Sequence, residues 1–487
     1  MRRVGFPAAF GAIRHERGPL DTVRRSHYRI RLSRQAPHHG ECDSKPLCGD
    51  EPELHVPDQP PVDGDLPDRQ RELFQRVRRG HAPGRCDGAA AVRSERKMSM
   101  TKYKTAESVR RGHPDKLCDL IADSILDECL RHDRYSRCAC EVMATKGKIF
   151  VCGEITCAAK INIRSVVREV LRKAGYNPMK FIVFVYVHRQ SSDIAGGVDS
   201  ALEVRDGGSE DVFATTGAGD QGTVYGYATR ETWTRLPVPV VFANDICKDL
   251  DEAMRDGTIR GIGPDGKAQV TVVYEDGKPV GVKNIVVSVQ HDEGKNLEEL
   301  RREIISEVLY PILDRFSFPK DMEILINPSG RFVEGGPAAD TGLTGRKLMV
   351  DTYGGLAAHG GGAFSGKDPT KVDRSAAYMA RAIARNVVGA WLAEECQVSI
   401  SYAIGKAEPT AVEIDTFGTA KVDEDVIRLA VLDVFDLRPA AIMSLLHLRA
   451  PIYADTAAYG HFNGYKYSWE NLDKTDELRK AVEKYAD

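Results

Sequence analysis

The chain has 487 residues, a formal net charge of −3, 42% hydrophobic and 29% charged residues. At about 150 residues per domain, that length predicts roughly three domains. The near-balanced charge excludes a general affinity for nucleic acid or an anionic membrane, so any anionic ligand must be met by a local basic cluster. No apolar run approaches the ~20 residues that a spanning helix needs. The 11 cysteines form no metal-type double CxxC pattern. Pairs such as Cys138/Cys140 and Cys152/Cys157 lie in apolar, strand-like stretches. They read as reduced, mostly buried thiols of a cytoplasmic protein.

Residues 1–97 differ from everything after them. They hold seventeen Arg against two Lys, Lys45 and Lys97, with scattered Pro and Gly and no sustained period. Such a segment buries too little apolar surface to offset its ordering entropy. Translated upstream sequence with the start at Met98 or Met100, a disordered tail and a transit peptide all fit it. The apolar core of a secretory signal is missing. None of these readings gives the segment any chemistry.

From residue 101 a pattern appears and then recurs. Pro114 suits a first helical position, and Leu117, Leu120, Ile121, Ser124 and Ile125 share one face, predicting a helix over 114–131. A hairpin follows, 141–145 and 149–156, around Lys146-Gly147. Then come a helix over 161–174, stopped by Gly175, and a strand over 181–187. The same order returns as helix 244–256, strands 269–274 and 280–290, helix 297–315 and strand 322–326. The third copy is helix 373–395, strands 397–402 and 411–416, and helix 424–435. Equivalent helices start near 114, 244 and 373, about 129 residues apart. The expected fold class is α+β: three domains related by pseudo-threefold symmetry, each a small, mostly antiparallel sheet with helices on one face. The expected spans are 101–200, 213–331 and 332–480. One open sheet face per domain must be covered, and sheet-to-sheet dimerisation would cover it. Ile149, Val151 and Ile155 are expected on the dimer-facing side.

Five segments carry candidate chemistry. The first is Gly360-Gly361-Gly362-Ala363-Phe364-Ser365-Gly366-Lys367-Asp368, continuing through Lys371 and Asp373 to Ser375. Glycines let a backbone approach phosphate and turn N–H groups towards it. Gly361 to Lys367 fits GxxxxGK, but Asp368 stands where a P-loop needs Ser or Thr, and no hydrophobic strand precedes it. It reads better as an anion loop served by Lys367 and Lys371. The second is Gly345-Arg346-Lys347 before strand-like Leu348-Met349-Val350; Arg offers phosphate a planar fork and Lys a point charge. In isolation such a pair more often marks a solvated surface. The third, Gly112-His113-Pro114-Asp115-Lys116, opens a helix; Asp115 could simply complement the helix dipole, while His113 could donate to an anion. The fourth, Gly217-Ala218-Gly219-Asp220-Gln221-Gly222, is alone only a glycine turn with an acid. The fifth is the pair of lone carboxylates Glu141 and Glu154 in apolar strands. They either face outward or need a cation to offset burial.

Together these segments, with Gly342–Lys347 and the tail Ala457-Ala458-Tyr459-Gly460-His461-Phe462, resemble the S-adenosylmethionine synthetase (methionine adenosyltransferase) family from about Thr105 to the C-terminus. The glycine–lysine segment and GAGDQG are its most specific signals. The resemblance implies joining of ATP and L-methionine into S-adenosylmethionine, with two Mg²⁺ and one K⁺ per site, in a homodimer or dimer of dimers whose sites lie between subunits. His113 resembles the histidine beside the breaking C5′–O bond. Asp115 and Asp373 resemble the magnesium carboxylates, and Glu141 the potassium ligand. Asp265, Gly266, Lys267, Arg331, Phe332, Asp340, Arg346, Lys347, Ala363, Lys367 and Lys371 resemble contacts to ATP and its triphosphate. Glu154 and Gln190, with Asp340 and Lys371, resemble contacts to methionine. His113, Lys267, Arg346, Lys347 and Lys367 are the implied catalytic set. Gln190–Ser200 matches a loop over the site. The chain departs from the family's common pattern at Arg111, where many members have Glu, at Gly263, where many have Arg, and at Ser191-Ser192-Asp193, where Ser-Pro-Asp is common.

The residue types suit that chemistry. A thioether sulfur is a neutral, soft nucleophile and needs no general base. The leaving triphosphate gathers negative charge, which fixed cations and metal ions can neutralise. A P-loop-type ATPase or kinase, and a non-catalytic ATP-binding relative, are the alternatives. Product identity after incubation with ATP, Mg²⁺, K⁺ and methionine separates all three.

Overall fold

The computed structural model describes residues 101–191, 201–205, 211–464 and 466–486. The 1–97 extension and positions 192–200 of the expected loop lie outside them. Three open sheets organise the chain, each with helices packed on one face.

Strand β1 (Thr101–Val109) leads to helix α1 (Pro114–His132), whose first turn carries Pro114 as expected. Strands β2 (Arg137–Thr145) and β3 (Lys148–Thr156) form the hairpin, turned at Gly147 with φ 71°. Helix α2 (Ile163–Lys173) is capped by Asn162, whose side chain accepts from Ser165 N. Strand β4 (Ile182–His188) closes the unit by pairing parallel to β3. Strand β5 (Gly222–Thr229) precedes helix α3 (Val238–Asp256). Strands β6 (Ile262–Glu275) and β7 (Lys278–His291) follow, then helices α4 (Leu297–Ile304) and α5 (Tyr310–Arg315) and strand β8 (Glu323–Ile326). The last third holds strand β9 (Gly342–Leu343), the single turn α6 (Leu348–Asp351) and helix α7 (Val372–Gly389). Strands β10 (Glu395–Tyr402) and β11 (Ala411–Asp415) come next, with helices α8 (Glu424–Val434), α9 (Pro439–Leu445) and α10 (Thr475–Tyr485).

The α+β class and the helix-backed sheets agree with the sequence reading. Each sheet also takes one strand from outside its own repeat. β1 joins the central sheet, in the order β1-β6-β7-β8. β5 joins the last sheet, β11-β10-β5, and β9 joins the first, β4-β3-β2-β9. The three sheets are thereby tied to one another through the backbone.

Several local expectations change. Helix α3 starts at Val238, not near 244: Pro237 and Pro239 cannot donate to a strand ladder but suit a first helical turn. The 297–315 helix carries a π-helical stretch, Ile305–Leu309, ahead of Pro311, which lacks the N–H that a regular helix would use. Helix α7 stops at Gly389; Trp391 then adopts φ 63°, and residue 395 already lies in a strand. Leu348–Val350, expected as strand, is the single turn α6.

The face assignment of the first sheet is also reversed. Ile149 and Val151 are 0% and 1% exposed, buried against the helices, and Ile155 packs on the same core. The open face carries Phe150, stacked on Phe184 at 5.0 Å, with exposed Cys152, Ile182 and Tyr186. The eight described cysteines are free, and six of them are fully enclosed by the helix-backed cores or nearly so; Cys152 is the exposed one. Among the described residues no helix is long and apolar enough to cross a membrane.

β5 crosses α7 without an intervening side chain. A Cβ at Gly226 would stand 1.9 Å from the Ala380 backbone. Gly226→Ala should therefore lower stability by about 1–3 kcal/mol, read as a fall in Tm; an unchanged Tm would refute this contact.

Candidate functional site

Helix α1 presents aspartates at every fourth position: Asp115, Asp119, Asp123 and Asp127, each at most 3% exposed. Residues i and i+4 share a helix face, so the four form a stripe. Between them they receive three loops, Asp115 and Asp119 sharing the first. Asp115 accepts from Leu343 N at 3.0 Å and from Lys347 Nζ at 2.7 Å. Asp119 accepts from Gly345 N at 2.9 Å. Asp123 accepts from Gly366 N at 2.8 Å, and Arg374 grips both its oxygens at 2.9 and 2.6 Å. Asp127 accepts from Tyr453 N and Ala454 N at 2.9 and 2.8 Å.

Lys116, 1% exposed, lies between Asp119 at 3.0 Å and Asp351. Burial opposes its charge, but the two carboxylates outweigh burial and hold the ammonium well above its usual range. Burial raises Asp119 to about 6 and also raises Asp351. The pair of acids and the lysine thus hold the turn that presents Arg346 and Lys347. Gly345 has φ 72°, and a Cβ there would meet the Ala363 Cβ at 2.6 Å. The Arg346–Lys347 turn is therefore packed directly on the glycine-rich loop.

His113 caps α1. Its Nδ1 accepts from Asp115 N at 3.2 Å, which leaves the ring proton on Nε2. Burial, then the charge of Lys347, lowers its pKa to about 4; Lys267 adds to this, and Asp115 and Asp340 oppose it. His113 is neutral at pH 7 and can donate through Nε2. The charges of Lys267 and Asp340 reach this ring from two further segments. Arg110 N donates to Gly266 O at 2.9 Å, tying the start of β6 to α1. Asp265 accepts from Gly336 N at 2.7 Å, fixing the turn that leads to Asp340. Burial raises the Asp115 carboxyl, but Lys347 and Leu343 N outweigh it and leave Asp115 below its ordinary value.

The glycine-rich loop runs beside β2. Gly366, at φ 82°, lies so close that a Cβ would meet Cys140 O at 2.0 Å. Asp368, fully buried, accepts from Cys138 N at 2.8 Å and from the Thr370 hydroxyl at 2.7 Å. It faces the protein interior, where a P-loop would turn its Ser or Thr outward to a metal, so the P-loop alternative fails on this residue. Lys367 pairs with Asp373, Lys371 pairs with Asp368, and Gly362 packs on the Asp373 carboxylate. Gly219 of GAGDQG lies against Thr370, where a Cβ would be 3.1 Å from its carbonyl.

The structure thus gathers His113, Asp115, Asp265, Gly266, Lys267, Asp340, Arg346 and Lys347 around the start of α1, with Ala363 in contact. Lys367, Lys371 and Asp373 form a second cluster along the same loop. Other expected residues have different partners. Glu141 accepts from the Thr344 hydroxyl on the open sheet face. Glu154 lies 3.1 Å from His188, and Gln190 N donates to Thr156 at 3.3 Å. Arg331 pairs with Glu293 at 2.7 Å, and Phe332 N donates to His291 at 3.0 Å.

Among the described residues no three His, Cys, Asp or Glu side chains converge as a metal cage. Magnesium needs only one or two carboxylates when phosphate and water supply the other ligands. Asp115 and Asp373, each beside a lysine that phosphate can recruit, fit that requirement. The residues that sequence reasoning missed are Asp119, Asp123, Asp351 and Arg374. For Asp119 and Asp123 the four-residue spacing of aspartates along the helix was the available signal.

Comparison with known proteins agrees across the described chain. Residues 101–192, 215–332 and 334–471 match the models for the N-terminal, central and C-terminal domains of S-adenosylmethionine synthetase. The chain is similar to an S-adenosylmethionine synthase of Desulforudis audaxviator, 50% identical over 386 residues, spanning 77% of this chain and 98% of that protein. A protein of the same name from Petrotoga mobilis is 49% identical over 393 residues, spanning 78% and 98%.

The lysine network generates a stability test. Lys116→Met would leave Asp119 and Asp351 buried without their cation, and removing one partner of a buried pair costs about 3–5 kcal/mol. Urea unfolding should show that loss; a change below about 1 kcal/mol would mean that the acids are simply protonated in the folded protein.

Proposed function

The chain belongs to the S-adenosylmethionine synthetase family and makes S-adenosylmethionine from ATP and methionine; on that premise we propose that the His113 cluster receives the triphosphate end of ATP. The methionine sulfur attacks C5′, forming the S–C bond as the C5′–O bond breaks, and the electron pair leaves on the triphosphate. Water then splits the triphosphate into phosphate and pyrophosphate. The single observation that carries this reading is a neutral, Nε2-protonated His113 next to Lys347 and Lys267. It can donate a hydrogen bond to the departing oxygen while the lysines meet the phosphate charge. Arg346, Lys367 and Lys371 complete the cationic cradle, and the same cradle serves the later hydrolysis.

Asp265, Gly266, Arg331, Phe332 and Ala363 are proposed to hold the nucleoside end of ATP. Glu154, Gln190, Asp340 and Lys371 are proposed to hold methionine. Family membership implies metal-dependent use of ATP. Asp115 and Asp373 would hold Mg²⁺, and Glu141, with one oxygen already accepting from Thr344, would hold K⁺. Bound magnesium ions would supply charge neutralisation at the phosphates.

Asparagine preserves helix capping, so His113→Asn isolates the proton donor. ATP binding should stay within a few fold, while S-adenosylmethionine formation slows by ~10²-fold or more. An unchanged rate would leave His113 as a helix cap only.

We further propose that the open sheet faces pair two copies and that each site combines the His113 cluster of one copy with the Lys367 cluster of the other. The support is the apolar set of exposed Ile182, Phe184 and Tyr186 with half-buried Phe150, which a lone chain leaves open to water. Co-refolding inactive His113→Asn and Lys367→Ala chains should restore roughly a quarter of wild-type activity, since half the dimers are mixed and each has one intact site. Mixed dimers that stay inactive would put the whole site within one chain.

A further inference from the structure

A cavity of about 910 Å³ lies behind the His113 cluster, between the end of α2, the end of α3 and the turn before Asp265. It is not the site already described. Its walls adjoin that site: Arg111 lines it and His113 does not, and Pro264 and Ala338 line it where Asp265 and Asp340 do not. Tyr176, also in the wall, donates its hydroxyl to Gly112 O at 2.5 Å, directly before His113. A Cβ at Gly112 would meet Pro264 O at 2.5 Å. The cavity and the site therefore share a wall one backbone thick.

The charge in this cavity is strongly positive. Lys146, Lys173 and Arg255 line it and have partners, Glu334 and Glu169 at 2.8 Å and Glu252 at 3.9 Å. Arg111, Arg172 and Lys180 line it too and form no ion pair among the described residues. Of the two carboxylates in the wall, Asp251 is already ion-paired with Arg110 at 2.8 Å; Asp292 is the other. Aromatic rings complete the lining. Tyr176 and Phe181 meet edge to face at 6.1 Å, and Arg111 lies over the Tyr459 ring at 5.8 Å. Gly263 contributes no side chain to the wall.

We propose that this cavity is a second anion site, separate from the catalytic one, that takes a phosphate-bearing ligand of nucleotide size. Two unpaired guanidinium groups and an ammonium suit phosphate. The volume falls in the range of small-molecule sites and far exceeds what one phosphate fills, and the rings offer a face to a planar base. The ligand would bear on the Gly112–His113 and Pro264–Asp265 backbones, so occupancy can alter the neighbouring site.

Equilibrium dialysis of the full chain against ADP, and separately against pyrophosphate, tests the proposal. The comparison is wild type with Arg172→Glu/Lys180→Glu, both exposed side chains whose loss should leave the unstimulated synthetic rate within about twofold, consistent with surface substitutions. Wild type should bind one more ADP per chain than the double variant. If pyrophosphate shows the same difference with equal affinity, the phosphate chemistry stands and the ligand is an inorganic polyphosphate. Equal stoichiometry in both proteins for both probes, with circular dichroism showing both folded, would overturn the proposal.

Discussion

The aspartate stripe on α1 holds the glycine loops where they are. Four buried carboxylates on one helix face would repel one another and lose hydration unless each were compensated. Compensation comes from outside the helix: backbone N–H groups of Leu343, Gly345, Gly366, Tyr453 and Ala454, and the cations of Lys116, Lys347 and Arg374. Every one of those donors except Lys116 lies more than two hundred residues later in the chain. The stripe thus converts a local helix into the template on which distant loops are laid, and the loops so fixed are the ones that carry Arg346, Lys347 and Lys367.

Glycine makes that template usable. At 345 and 366 the backbone has positive φ and neighbouring atoms occupy the space of a Cβ, so the aspartates can draw the chain in until N–H meets carboxylate. Strand exchange works in the same direction. β1 brings α1 to the central sheet, where Arg110 reaches Gly263 O at 2.5 Å and Asp251 at 2.8 Å. β9 brings the Arg346 turn to β2. The proposed catalytic groups therefore sit on loops, but each loop is anchored within a few residues of a sheet or of the stripe, the arrangement that lets a loop hold such geometry.

What was legible in the sequence follows from range. Helix α1, the β2–β3 hairpin and α2 announce themselves through period, caps and the Lys146-Gly147 turn, all local signals. β1, β5 and β9 pair with strands far away in the chain, and β9 is two residues long; no local pattern marks them. The orientation of Ile149 and Val151 was misjudged because alternation defines two faces without saying which is covered, and the helices chose the one with Val142 and Ala144. His113 and the lysines were singled out by residue type and spacing. Lys116 and Asp119 look like ordinary surface residues of a helix until the Asp351 turn covers them.

The chain pairs these cations with the acids they stand beside. Lys347 is on Asp115, Lys367 on Asp373 and Lys371 on Asp368. Each pair is partly buried, so an unpaired lysine there would lose hydration without compensation. On the proposed reading, Lys347 and Lys367 would turn to phosphate oxygens while Asp115 and Asp373 would hold magnesium, which would supply them with counter-charge. Both partners would exchange one counter-charge for another, so neither buried charge would be left bare. Asp368 differs. Its other oxygen contacts are Cys138 N and Thr370, so it stays neutralised by hydrogen bonds when Lys371 leaves. The loop therefore keeps its shape while its cation moves. A polyanion without the metal would supply partners for the lysines but strand the two aspartates, which is a physical reason for phosphate and metal to bind together.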